Sequence, residues 1–215
     1  MSCRVILADD HRIVRDGLKS LLQQSPEITV IGVADNGRQL MELLRKEEPD
    51  LVLLDISMPD INGIEATRLI AAEHGEVRII ILSMHSERHF ILEAFNAGAH
   101  GYLLKDSAFT ELIGAIQAVC AGGCYLSAKI AGIVVQDAIR PPQTSMVSVF
   151  SQLTPRERQV LQAIAEGKST KEIAFTSKVS IKTIETQRQN IMRKLNIYSI
   201  AELTKYAVRQ GLTPL

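Results

Sequence analysis

Asp9-Asp10, Asp55, Ser83 and Lys105 are residue types that together could handle a phosphoryl group, and each stands where a short apolar run ends. Val5–Ala8 runs into Asp9-Asp10, Leu51–Leu54 into Asp55, Ile79–Leu82 into Ser83 and Tyr102–Leu104 into Lys105. Three carboxylates gathered within a few ångströms cannot all stay ionised without a cation. Oxygen donors around a partly open position suit Mg²⁺, which retains waters and favours carboxylates combined with phosphate oxygens. An ammonium and a hydroxyl on the far rim would complete a cradle for phosphoryl oxygens. Asp55 is then the natural nucleophile, since a carboxylate forms an acyl phosphate whose transfer needs little beyond positioning and charge neutralisation. An aspartate at one strand end is ordinary turn chemistry. All of these residues at the ends of strands in one crevice are much harder to dismiss.

The elements that must position them follow from periodicity. The apolar runs above, with the β-branched stretch Ile28–Ala34, read as strands buried on both faces, the mark of a parallel sheet covered by helices. Between them lie stripes of helical spacing: Ile13, Val14, Gly17, Leu18, Leu21 and Leu22; Leu40, Leu43 and Leu44; Ile64, Leu69 and Ile70; Ile91, Leu92 and Phe95; and Leu112, Ile113, Ile116, Val119 and Cys120. Strand and helix alternate five times, which implies right-handed crossovers. The expected fold is α/β, flavodoxin-like, (βα)5, with strand order 2-1-3-4-5. Ligands of such sheets sit beyond the carboxyl ends of the strands where the order reverses. That point lies between the first and third strands and unites Asp9, Asp10 and Asp55.

Other features of this half carry less. His85 and His89, four apart, have no third ligand nearby and read as loop and helix start. Met58-Pro59-Asp60-Ile61-Asn62-Gly63 reads as a turn that shapes the site before a helix, and Cys120 and Cys124 as small buried thiols at a helix end. Three cysteines make no disulfide framework. Hydrophobic residues at 46% and charged residues at 22% exclude wholesale disorder and a coiled-coil rod. No apolar run nears the ~20 residues of a membrane span, and no export signal is visible. A cytoplasmic protein without membrane contact is expected.

A formal net charge of zero hides a split. Residues 1–150 carry 13 Lys+Arg against 19 Asp+Glu, whereas residues 151–215 carry 11 against five Glu and no Asp. Such asymmetry sends the basic part to a polyanion. Its elements are short and capped. Thr154-Pro-Arg-Glu157, Ser169-Thr-Lys-Glu172 and Ser199-Ile-Ala-Glu202 each have capping-box spacing, and Ser180 is a further N-cap. Four helices are expected, with Ile173, Ala174, Val179, Ile184, Ile191, Leu195, Leu203 and Tyr206 as core. The helix over 181–195 has an apolar side, Ile181, Ile184, Ile191, Met192 and Leu195, and a polar, cation-bearing side. It follows a short helix across the turn Ser177–Ser180, an arrangement that fits the major groove of double-stranded DNA. Lys182, Arg188, Arg193 and Lys194 would meet phosphates, while Glu185, Thr186 and Gln189 point where base edges would lie, and Thr183 belongs to the same DNA-binding set.

Both halves resemble known families. Asp9-Asp10, Asp55 within Leu54-Asp-Ile-Ser-Met-Pro-Asp-Ile-Asn-Gly63, Ser83, and Tyr102 ahead of Lys105 resemble the receiver domain of two-component response regulators. The resemblance implies that Asp55 accepts a phosphoryl group from a phosphohistidine of a sensor histidine kinase. It also implies that Asp10, Asp55 and the Ser57 carbonyl bind Mg²⁺ with help from Asp9. By the same resemblance Ser83 and Lys105 hold phosphoryl oxygens, and Tyr102 repacks as a switch. Leu153-Thr-Pro-Arg-Glu-Arg-Gln-Val-Leu161, Ala165–Ala174 and Lys182–Leu195 are similar to the helix-turn-helix of LuxR/NarL/FixJ-type regulators. The implied organisation is a receiver over 1–122, a proline-containing helical linker over 123–149 and a DNA-binding domain over 150–215. The implied function is transcription control by a phosphorylation-dependent homodimer on two DNA half-sites. A Mg²⁺-dependent phosphohydrolase is disfavoured, because its second acid would stand two residues after the nucleophile, where this chain has Ser57. Beyond its own phosphorylation and dephosphorylation the chain is not expected to be an enzyme. A second rival, a receiver that serves only as a dimer scaffold, is opposed by the intact acidic set.

Overall fold

The computed structural model describes residues 2–139 and 152–213, so the expected boundary at Pro141-Pro142 lies outside the described residues. The chain divides into two compact units. The first alternates strand and helix: β1 (Cys3–Ala8), α1 (Arg12–Leu22), β2 (Ile28–Ala34), α2 (Gly37–Leu44), β3 (Leu51–Asp55), α3 (Gly63–Glu73), β4 (Arg78–Ser83), α4 (Arg88–Ala97), β5 (Gly101–Leu104), α5 (Ala108–Cys120), β6 (Tyr125–Leu126) and α6 (Ala128–Ile139). All strand pairs are parallel. The apolar runs are strands because both faces are covered: Val5, Ile6, Leu7 and Leu51–Leu54 expose nothing to solvent. One face packs Val5, Leu7, Leu53, Ile80 and Leu103 beneath Leu18 and Leu22 of α1 and Leu112, Ile116 and Val119 of α5.

The sheet order is β2-β1-β3-β4-β5-β6. Its first five strands follow the expected 2-1-3-4-5, but there are six strands rather than five. The sixth comes from residues assigned to the linker. Tyr125 N donates to His100 O at 3.0 Å and Ser127 N to Tyr102 O at 3.1 Å, which satisfies backbone groups along the edge of β5. A strand of two residues has no period to read. The helical spacing over Ser127–Ile139 is realised as α6, which packs on α4 and β5.

Register positions the chemistry. Ala8 lies opposite Leu54, so Asp9 and Asp55 emerge side by side at the carboxyl edge. Asp55 lies opposite Leu82 and Ser83 opposite Leu104, which brings Ser83 and Lys105 to the same rim.

The second unit contains α7 (Pro155–Ala165), α8 (Thr170–Thr176), α9 (Ile181–Leu195) and α10 (Ile200–Arg209). Thr154/Glu157 and Ser169/Glu172 form complete capping boxes, and Ser180 accepts from Thr183 N. The third expected box does not form, since the Ser199 side chain makes no cap bond. Ser199 holds only the backbone Ncap place, with its carbonyl accepting from Leu203 N. Val160, Leu161, Ile173, Ile184, Ile191, Leu203 and Ala207 build the core. Val179 and Ile181, expected inside, are exposed, as is Ile13 of α1. These residues lie in a turn or in the first turn of a helix, where a 3.6-residue period does not yet fix which side faces the core.

Candidate functional site

The carboxyl edge of the sheet holds a compact acidic pocket. Asp9 and Asp55 are buried and Asp10 is partly exposed. The Lys105 ammonium lies 2.9 Å from Asp9 Oδ2 and 2.9 Å from Asp55 Oδ2. Burial opposes the charge on Lys105, but Asp55 and Asp9 outweigh it and push its pKa up. Burial raises the Asp55 carboxyl to about 6; Lys105 opposes the rise, and the neighbouring Asp9 and Asp10 charges add to it.

His11 belongs to this pocket, although sequence reasoning passed it over. Its Nδ1 stands 2.8 Å from Asp10 Oδ1, 3.5 Å from Asp9 Oδ1 and 4.0 Å from Asp55 Oδ2. Its backbone N–H donates to Asp9 Oδ1 at 2.8 Å. The available signal was position, because the residue after the Asp pair opens α1 at the same rim. Among the described residues, Asp9, Asp10, His11 and Asp55 form the group whose donor atoms lie within 4.8 Å of one another. Asp9 Oδ2, Asp10 Oδ1 and Asp55 Oδ2 are buried, and the short contacts to them come from the Lys105 ammonium and the His11 ring. Carboxylate oxygens gathered this closely, with Lys105 and His11 as their charge partners, are the donor set a hard divalent cation requires, so the residues fit Mg²⁺.

The turn after β3 closes the site from below. Asn62 caps α3 by accepting from Glu65 N at 3.0 Å, and Gly63 N donates to Ile56 O at 2.8 Å. A Cβ on Gly63 would lie 2.1 Å from the Asp55 carbonyl oxygen, so only glycine admits this approach. Ser57 is half-buried in the same turn. The Met58–Gly63 segment thus shapes the site, as its sequence implied.

Across the rim, Ser83 Oγ accepts from His85 N at 3.0 Å, and the Tyr102 hydroxyl donates to His85 O at 2.8 Å. Ser83 and Tyr102 are fully buried. Burial pushes the Tyr102 phenol well above its usual range, so it is a neutral donor. His85 and His89 assemble no ligand set among the described residues. Their rings lie 4.2 and 4.1 Å from that of Phe90, and burial lowers both pKa values.

In the second unit, Lys182, Thr183, Glu185, Thr186, Gln189 and Arg193 are exposed on α9, with Arg188 at the flank. Fifteen residues make a rod of about 22 Å. Asn196 ends it in the left-handed region, with Arg193 and Lys194 in the last turn, where cations oppose the helix dipole. Lys194 does more than face solvent: its ammonium lies 2.6 Å from Glu157 Oε2 and joins α9 to the capping box of α7. The two expected thiols at the helix end are also different. Cys120 and Cys124 are exposed, because α5 ends there at the surface.

Known proteins resemble the chain over nearly its whole length. Residues 5–117 match the family model "Response regulator receiver domain" and residues 151–207 that of "Bacterial regulatory proteins, luxR family". The transcriptional regulatory protein MctR of Rhizobium johnstonii is 38% identical over 97% of this chain and 94% of its own. The response regulator UvrY of Escherichia coli K12 is likewise 38% identical, over 97% of this chain and 94% of its own. The solved structure of two RcsB dimers bound to two parallel DNAs is 27% identical, covers 98% of this chain and 99% of its own, and has a TM-score of 0.62.

Proposed function

The chain belongs to the two-component response regulators with a LuxR-type DNA-binding domain, and on that premise we propose that Asp55 is its phosphoacceptor and α9 its DNA-reading helix. An Asp55 carboxylate oxygen attacks the phosphorus of a phosphohistidine on a sensor histidine kinase; the P–O bond forms as the P–N bond breaks, and the histidine leaves. Asp9, Asp10, Asp55 and the Ser57 carbonyl would hold Mg²⁺, which supplies charge neutralisation between carboxylates and phosphoryl oxygens. Lys105 leaves its ion pair with Asp55 to meet a phosphoryl oxygen, and Ser83 donates its hydroxyl to another. That draws on the Ser83–His85–Tyr102 network, whose bonds share one residue. The observation that carries this reading is the Lys105 ammonium bridging Asp9 and Asp55 inside a buried acidic pocket.

Phosphorylation then favours a homodimer on two DNA half-sites, a reading supported by the DNA-bound RcsB dimers. Lys182, Arg188 and Arg193 contact phosphates, and Glu185, Thr186 and Gln189 meet base edges. The protein acts in the cytoplasm, where its promoters are, and catalyses nothing beyond its own phosphorylation and dephosphorylation. The test is labelling by acetyl phosphate with Mg²⁺. The protein should gain one phosphoryl group that Asp55→Asn lacks while keeping its circular dichroism; labelling of that variant would overturn the assignment.

A further inference from the structure

We propose that Cys3 and Cys120 are an oxidisable dithiol that closes an intramolecular disulfide between the start of β1 and the end of α5. Their sulfurs lie 2.8 Å apart although 117 positions separate them in sequence. A disulfide bond is about 2.05 Å long, so less than about 1 Å of motion is needed. The site is remote from the acidic pocket, about 20 Å along β1 from Asp9. An open crevice of about 310 Å³, lined by Ser2, Cys3, Asp50, Glu76, Arg78 and Cys120, gives solutes access to both sulfurs.

The two thiols differ. Cys120 is exposed, whereas Cys3 is half-buried. Burial, contact with Cys120 and the Asp50 carboxylate all push the Cys3 thiol upward, which keeps it protonated. Cys120 is therefore the sulfur that meets the oxidant. With a hydroperoxide, the Cys120 sulfur attacks the peroxide oxygen; the O–O bond breaks, Cys120 becomes a sulfenic acid, and its thiol proton leaves with the departing oxygen as water or alcohol. Cys3 sulfur then attacks Cys120 sulfur. The S–S bond forms, the S–O bond breaks, and the Cys3 proton leaves with the hydroxyl as water. Two thiols lose two electrons and the peroxide gains them. In a reducing compartment the pair rests as thiols, and the bond is transient.

Cys3 opens β1 and Cys120 closes α5, so the bond spans nearly the whole first unit. Closing so long a loop restricts the unfolded chain strongly. Cys124, four residues on, lacks such a neighbour among the described contacts.

The full-length protein, treated with hydrogen peroxide and then with N-ethylmaleimide, should take one maleimide, on Cys124, against three before oxidation. Non-reducing peptide mapping should recover Cys3 joined to Cys120, and dithiothreitol should reverse the bond. Cys124→Ser should still form it, and Cys3→Ser should not. The melting midpoint of the first unit should rise by roughly 10 °C on oxidation, a shift that Cys3→Ser lacks. Three reactive thiols after peroxide, a Cys120–Cys124 peptide, a linked dimer or an unchanged midpoint would each overturn the proposal.

Discussion

Lys105 Nζ is equidistant from Asp9 Oδ2 and Asp55 Oδ2, at 2.9 Å from each. One buried cation therefore occupies the oxygens that an incoming metal and a phosphoryl group would also claim. Removing it should separate two roles that a single charge now combines.

Lys105→Ala is expected to bind Mg²⁺ about tenfold more tightly, because a competing positive charge is gone. The same variant should be labelled by acetyl phosphate at least about 100-fold more slowly, having lost a donor to the developing charge. Titration calorimetry and the labelling time course read the two effects. Parallel losses in both would contradict the competition.

The Asp55 carboxyl, raised to about 6 chiefly by burial, makes stability depend on pH in the metal-free protein. The folded state binds this proton more tightly than the unfolded chain does. The contribution is therefore fully present below the unfolded value of 3.8 and is lost as pH rises through about 6. Asp55→Asn does not titrate, so between about pH 4 and about pH 7.5 it should gain on the native chain by about 2–3 kcal/mol. Urea unfolding in chelator at each pH checks this.

Gly63→Ala puts a methyl group against the Asp55 carbonyl. The turn between β3 and α3 must shift, at a cost of about 2 kcal/mol or more, and labelling of Asp55 should slow with it. Urea midpoints and labelling rates should fall together.

On α9, Arg193→Ala should weaken binding to every DNA sequence and lower the salt slope by about 1 per bound helix. Gln189→Ala should change which sequences are preferred instead. Selection from a random-sequence pool at two salt concentrations distinguishes them.

Lys194→Ala should cost the second unit about 1 kcal/mol, because it leaves Glu157 without its cation while the Thr154 cap bonds remain. Thermal unfolding reads this. The salt slope should move less than for Arg193→Ala, since Lys194 is already paired.

The acidic pocket was legible because strand ends are visible as the last apolar residue before a polar one, and parallel register then aligns Asp9, Asp55, Ser83 and Lys105. The capping boxes at Thr154 and Ser169 were legible for a similar reason, as both partners are local. Long-range contacts left no such trace. Cys3 meets Cys120 across 117 positions, Lys194 meets Glu157 from another helix, and only the 4.0 Å approach of His11 to Asp55 depends on β1 folding beside β3, its contacts with Asp9 and Asp10 being local. Strand β6 was invisible because two residues cannot show alternation. Ser199 shows the opposite failure, as correct spacing there did not yield the side-chain bond.

Ser127 N donates to the carbonyl of Tyr102, so the residue that introduces α6 is clipped to the strand carrying the buried phenol. Sliding that strand would carry the start of α6 with it, whereas turning the aromatic ring alone would leave it still. One peptide group thus separates two kinds of motion at Tyr102: backbone travel would move α6, and side-chain rotation would rewrite only the surface beside it.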